Sequence, residues 1–507
     1  MSRRQILGGT AAAMAVGLLG RDAAPAAPTS RPSILFFFPD QHRSDWIGSL
    51  GRVPVPTPNL DALARRGAHF TRTLCASPLC APSRACLVSG REYDRCGVRD
   101  NESDLPEGSP TFFRRMRDSG YHVMGVGKVD LAKGSRTWGL DGKRHQERWG
   151  FSDLVDSCGK IDGMLAYYGV RSSLEVRPRA GAEAKRPRAE EPYLAHLDAL
   201  DPPLGEAFAD DMLARVKGRK PELAYGDTRP SPLPDPHYLD NWIGRRGLEM
   251  IEAAPRDRPW FQIVNFAGPH APTDVTRRMD ALYRGPDRVI DAFAQPHAYS
   301  GSIAPAMHTA IRQSYAAMIE NIDRWLGLYL EALERRGELD STIVVWSSDH
   351  GEMLGDHGQW DKQVPHRSST EVPLVMAGPG IEPGRREHAL VSLIDLGPTF
   401  LELAGLDAPP DVDARSIVPV LTGRARSHRE HVLSGLLGWR MVYDGRYKLV
   451  RGTGPATTFS RAFGPEPLLF DLDDDPWEDR NLAASMPKVV ARLSEVLPAV
   501  AAAAQPG

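Results

Sequence analysis

Residues 33–42 read Ser33-Ile-Leu-Phe-Phe-Phe-Pro-Asp-Gln-His42. The apolar run shows no polar alternation, so it predicts a strand buried on both faces, as in a parallel sheet. Asp40 follows at its C-terminal end, where open α/β sheets bind ligands. On its own, a carboxylate there serves equally well as a helix cap. Similar runs recur downstream. Tyr121-His-Val-Met-Gly-Val-Gly-Lys128-Val-Asp130 predicts a short strand with a lysine at its end. Pro259-Trp-Phe-Gln-Ile-Val-Asn-Phe266 predicts another, followed by Ala-Gly-Pro-His270-Ala-Pro272, in which the prolines hold the histidine rigidly. Thr342-Ile-Val-Val-Trp346 is β-branched and runs into Ser347-Ser-Asp349-His350-Gly351-Glu352. Asp349 and His350 supply oxygen and imidazole donors suited to a divalent cation. A parallel sheet brings such strand ends to one edge, so Asp40 and Asp349-His350 are expected to meet. Glu371–Met376 predicts one more strand, and Thr57–Gly67 a capped amphipathic helix ending in glycine.

Residues 77–91, Ser-Pro-Leu-Cys80-Ala-Pro-Ser-Arg84-Ala-Cys-Leu-Val-Ser-Gly-Arg91, predict a short helix that opens near Cys80 and stops at Gly90. Cys80 then sits at a helix N-terminus, where free N–H groups and the dipole favour an anion. Arg84, one turn on, points back to the same place. Two readings stand on this physics: a buried thiol capping a core helix, and a centre that stabilises a developing oxyanion.

The chain has 507 residues, with 41% hydrophobic and 25% charged residues and a net charge of −3. It is long enough for a large core and more than one domain. Interspersed charge argues against nucleic-acid binding, and the basic run Lys185–Arg188 reads as a solvated loop. Of the five cysteines, Cys75, Cys80, Cys86 and Cys96 crowd one stretch without a Cys-x-x-Cys pair, which argues against zinc; Cys158 stands apart. An oxidising compartment would permit a disulfide among them, with the pairing open.

The string Cys80-x-Pro82-Ser83-Arg84 with Leu87-x-x-Gly90-Arg91 resembles the signature of the type I sulfatases. The resemblance implies an alkaline-phosphatase-like α/β fold: a large, mostly parallel central sheet sandwiched by helices, plus a small C-terminal antiparallel sheet and helix. It implies that a formylglycine-generating enzyme oxidises Cys80 to formylglycine (3-oxoalanine), whose hydrate is the nucleophile. Asp40, residue 80, Asp349 and His350 would hold a divalent metal, with calcium the usual one. Arg84, Lys128, His270 and Lys362 would be catalytic, and Asp323, on the helix Tyr315–Leu333, structural. Three positions depart from the common pattern. Gln41 replaces a second Asp, as in choline-sulfatases and phosphonate hydrolases. Asp130 replaces a His, as in arylsulfatase K. Arg367 stands where many relatives carry Glu.

The N-terminal Ser2-Arg3-Arg4-Gln5-Ile6-Leu7, the apolar stretch to Leu19 and Ala24-Pro25-Ala26 resemble a twin-arginine signal peptide, spanning 1–27. A periplasmic or secreted protein without stable membrane insertion is expected. The catalytic domain is placed at 32–425, with a long irregular insertion at 134–240 that would carry substrate identity, and a C-terminal subdomain at 426–507. The expected activity is hydrolysis of sulfate esters, on a glycan or a small molecule. A phosphonate monoester or phosphodiester hydrolase and an inactive glycan-binding homologue are the alternatives.

Overall fold

The computed structural model describes residues 31–50, 53–176, 190–216, 225–284, 305–453 and 463–497. The twin-arginine segment and the Lys185–Arg188 run lie outside them. The strands are β1 (Ser33–Phe37), β2 (Gly67–Phe70), β3 (Thr73–Leu74), β4 (His122–Gly127), β5 (Asp153–Asp156), β6 (Trp260–Asn265), β7 (Thr342–Ser347), β8 (Leu374–Ala377), β9 (Arg385–Glu387), β10 (Val391–Ser392), β11 (Val432–Leu436), β12 (Trp439–Tyr443), β13 (Tyr447–Gly452) and β14 (Leu468–Asp471).

Eight of them form the main sheet in the order β5-β4-β6-β1-β7-β8-β2-β9. Every pairing is parallel except the two made by β8. β1 lies between β6 and β7, which explains why its sequence is apolar throughout. Its residues alternate between two cores. Ile34 and Phe36 face one layer, where the Phe36 ring lies 5.3 Å from Phe400. Leu35 and Phe37 face the other, where Phe37 meets Tyr329 edge-on at 5.0 Å. The ends of β1, β4, β6 and β7 therefore open on the same edge, as expected.

Helix α1 (Pro58–Arg66) and helix α2 (Cys80–Ser89) match the predicted spans, and Gly90 ends α2 in the left-handed conformation at φ 68°. The stretch 134–240 differs from the irregular insertion expected. It contributes β5 to the main sheet and holds helices Lys160–Tyr168, Pro192–Asp198 and Gly205–Val216. These helices are short and pack largely on one another, through Met164, Leu165, Phe208 and Met212. Periodicity over two or three turns, broken by charges, is too brief to stand out in sequence.

β11–β14 form an antiparallel sheet backed by helix Pro487–Ser494 through Val442, Leu449, Leu469 and Val490. Its other face, with Trp439, Met441 and Phe470, joins the main core. All five cysteines are free and buried.

Asp323, on the long helix Pro305–Arg336, caps α1 from outside: its carboxylate accepts the backbone N–H groups of Leu60 at 2.7 Å and Asn59 at 3.2 Å. Asp323→Ala should leave these amides without a partner and lower unfolding stability by about 1–3 kcal/mol, measured by urea denaturation.

Candidate active site

Four ligand-type side chains from three elements converge. Asp40 follows β1, and its N–H donates to Phe266 and Gly268 carbonyls beyond β6. Asp349 and His350 follow β7, and Cys80 opens α2. One donor atom from each of these four lies within 4.8 Å of all the others, and all four residues are buried. Cys80 Sγ is 3.3 Å from His350 Nε2 and 3.9 Å from Asp40 Oδ1. His350 Nε2 is 3.6 Å from both Asp40 Oδ1 and Asp349 Oδ2. The donors are carboxylate oxygens, an imidazole nitrogen whose ring partner Nδ1 contacts the Gly351 carbonyl at 3.0 Å, and a sulfur. Such a set could hold a divalent cation, and it fits one by chemistry as well as spacing.

Cations surround this cluster. Lys128, just past β4, makes an ion pair with Asp40 Oδ2 and a 3.5 Å contact with Cys80 Sγ. Arg84 Nε donates to Asp349 Oδ2 at 3.0 Å, while its Nη2 faces Asp40 Oδ2 at 3.6 Å without a hydrogen bond among the described residues. Arg84 Nη1 donates to the Lys128 carbonyl and to Asn265 Oδ1. Burial alone would push the Asp40 carboxyl up; Lys128, His270, Arg84 and His350 outweigh it and hold the group well below the usual range. Burial and the Asp40 charge likewise oppose ionisation of Cys80, yet Lys128, Lys362 and His350 bring its thiol well below the ordinary value. The site is tuned to hold negative charge at residue 80.

The helix terminus contributes differently from the expectation of free N–H groups. The Ala81 amide is taken by Asn101 Oδ1 at 3.1 Å, and Pro82 has none. Side-chain cations, with the helix dipole, therefore supply the positive field.

Lys362 and His270 complete the rim. Lys362 Nζ lies 2.6 Å from His270 Nε2 and donates to Gln41 Oε1 at 2.8 Å. An ammonium cannot accept, so His270 Nε2 accepts and its Nδ1–H donates to the Ala271 carbonyl. Gln41 adopts φ 70°, and its side chain turns from the four-residue cluster toward Glu352, Asp361 and Tyr225. It holds Lys362 and lies outside the cluster. Asp130 sits between Lys128 at 3.2 Å and Lys133 at 2.6 Å. Arg367 pairs with Glu371 and lines a different cavity.

The cleft above Cys80 encloses about 150 Å³ and is lined in addition by Asn101, Lys133, Lys160 and Asp162. None of these was singled out as a site residue from sequence. Lys160 and Asp162 lie in the first turn of the helix Lys160–Tyr168. Lys160 is buried. Its ammonium donates to the carbonyls of His270 at 3.2 Å and Pro272 at 3.0 Å and pairs with Asp274 at 2.7 Å, so it braces the loop that presents His270.

Comparison with known proteins agrees with this geometry. A family model described as Sulfatase matches residues 32–406, and one described as N-sulphoglucosamine sulphohydrolase, C-terminal, matches residues 355–502. Arylsulfatase K of Gallus gallus is 26% identical over 94% of this chain and 84% of its own. Two solved structures share the fold. One, in complex with its substrate D-glucosamine-2-N,6-O-disulfate, superposes with a TM-score of 0.68 at 19% identity, covering 92% of this chain and 97% of its own. The other, the phosphonate monoester hydrolase of Agrobacterium radiobacter, gives 0.69 at 23% identity, covering 92% and 94%. The Sulfatase match takes in Asp40, Cys80, Lys128, His270, Asp349 and Lys362 together, and on that ground the chain belongs to the sulfatase family and is a sulfuric ester hydrolase.

Proposed function

We propose that the protein removes sulfate from a sulfated carbohydrate, using formylglycine made from Cys80 and a divalent cation, calcium, held by Asp40, Asp349, His350 and residue 80. The observation that carries this reading is the convergence of those four buried residues inside a ring formed by Lys128, Arg84 and Lys362. The sugar is supported by the relatives' names and by a cleft edged with hydrogen-bonding Asn101, Lys133 and Asp162.

A sulfate monoester is an anion, so attack on it needs charge neutralisation first. A cation held by Asp40, Asp349, His350 and residue 80 would supply Lewis acidity. Residue 80, once oxidised and hydrated, would supply two hydroxyls on one carbon, the chemistry of a nucleophile that can be regenerated. Lys128 and Arg84 orient residue 80 and counter its charge. Lys362 exchanges His270 for a sulfate oxygen as substrate enters. His270, freed at Nε2, would take there the proton given up by the attacking hydroxyl and pass it to the ester oxygen of the leaving alcohol, its Nδ1–H staying on the Ala271 carbonyl. A formylglycine-generating enzyme is the maturation partner. The twin-arginine pattern supports export to the periplasm or beyond, and among the described residues no helix is long and apolar enough to cross a membrane. The phosphonate neighbour and Gln41 favour a second, weaker activity: aryl phosphonate should turn over more slowly than aryl sulfate.

Lys362→Ala should lower kcat for 4-nitrophenyl sulfate on the order of 10²–10³, and should also lower unfolding stability, because it leaves the buried Asp361 carboxylate without its 3.1 Å partner. Dialysis against a calcium chelator should lower Tm and abolish turnover, both restored by added calcium; at a hundredfold excess over Kd the metal contributes about 2.7 kcal/mol. Asp349→Asn should lose the calcium-dependent rise in Tm. Lys160→Met should reduce kcat by about tenfold, equivalent to ~1.4 kcal/mol, and have no further effect in a His270→Ala background.

A further inference from the structure

A cavity of about 220 Å³ lies where the β2–β9 edge of the main sheet meets the C-terminal subdomain. It shares no lining residue with the cleft over Cys80. Strand register builds one wall. His69 of β2 pairs with Arg386 of β9, so both side chains leave the same face of the sheet. The His69 residue is only 9% exposed, and its ring makes no hydrogen bond among the described residues. The side chain of Arg386, an exposed residue, has neither a hydrogen bond nor an ion pair among them. Arg72, also in the wall, reaches an acid only at Asp473, 3.9 Å away.

Two of the three acids of the wall, Asp45 and Glu371, are already engaged. Arg43 holds both oxygens of Asp45, and Arg367 holds both of Glu371. Two guanidiniums with spare donors and a nearly buried imidazole thus face a space whose carboxylates are largely neutralised. Burial and the Arg386 charge bring His69 down to about 4, so at neutral pH it is an uncharged donor and acceptor. Tyr443, Phe70 and Leu472 add apolar surface. The space is several times the ~30 Å³ share of one water molecule, so a bare sulfate ion would leave most of it wet.

We propose that this cavity binds a sugar ring carrying one anionic group, sulfate or carboxylate. Arg72 and Arg386 hold the anion, His69 bonds a ring hydroxyl and Tyr443 lies beside the ring. The sugar rests on the reading of the substrate as a sulfated carbohydrate; the anion does not. In a sulfated glycan, such a site would hold a unit other than the one being cleaved.

Titration calorimetry on the full chain carrying Cys80→Ala, with glucosamine 6-sulfate as the probe, tests this. A binding event is expected that Arg386→Gln weakens at least tenfold and that unsulfated glucosamine does not produce. Sodium glucuronate competing for the same event would show that carboxylate serves as well as sulfate. An event in the catalytic cleft, where present, should be unmoved by Arg386→Gln. If no event is seen, or if every event ignores Arg386→Gln, the proposal is overturned. Turnover of 4-nitrophenyl sulfate by Arg386→Gln with Cys80 intact keeps the two readings apart. Unchanged turnover is expected, and a fall in turnover would mean that Arg386 serves the catalytic site or the fold, against the proposal. Absence of turnover even in the unsubstituted protein would count against the hydrolytic mechanism and leave the cavity to be judged by the titration.

Discussion

One guanidinium ties the site together. Arg84, on α2, touches groups that follow or lie on four different strands: Asp40 after β1, the Lys128 carbonyl after β4, Asn265 on β6 and Asp349 after β7. It is 2% exposed, and Asp40 and Asp349 are fully buried. Charges taken out of water cost several kcal/mol each unless they meet well-placed partners. Arg84, Lys128, Asp40 and Asp349 can be buried only as a set, and the set exists only when four parallel strand ends lie at one edge with α2 across them. The chemistry and the fold therefore depend on the same contacts.

That arrangement also accounts for how the site can take a doubly useful role. Positive charge dominates around residue 80, through Lys128, Lys362 and Arg84, while the carboxylates point inward to a place fit for a cation. Lys128 and Arg84 pair directly with Asp40 and Asp349, so the cations and the ligand-type carboxylates form one buried network. Supporting residues keep these positions without entering the cleft chemistry themselves. Gln41 steadies Lys362, Asn101 ties down the start of α2, and Lys160 braces the loop carrying His270.

Much of this was legible in the sequence because it is local. The apolar runs at β1, β6 and β7 and the residues immediately after them disclose parallel strands and their functional ends. The Cys80–Arg91 string carries its own helix signals, with Pro82 in the first turn and Gly90 at the stop. What was illegible depends on distant partners. Asp323 caps α1 across more than two hundred residues of chain, and no spacing rule announces that. Lys160 reads as an ordinary charge until the His270 loop is folded over it. β5 is four residues long and paired on one side, and the helices around it pack largely on one another, so that region looked irregular. Gln41 follows Asp40 directly but turns away from it, because its backbone is left-handed.

The central claim is that Cys80 is a precursor and that the oxidised residue is the working group. Mass spectrometry of the tryptic peptide containing Cys80, from protein made in its native host, tests it most directly when paired with 4-nitrophenol release from the sulfate ester by the same preparation. The account predicts formylglycine at position 80, with turnover proportional to the converted fraction. A peptide carrying only the unmodified thiol, in a preparation that still hydrolyses the ester at full rate, would contradict it.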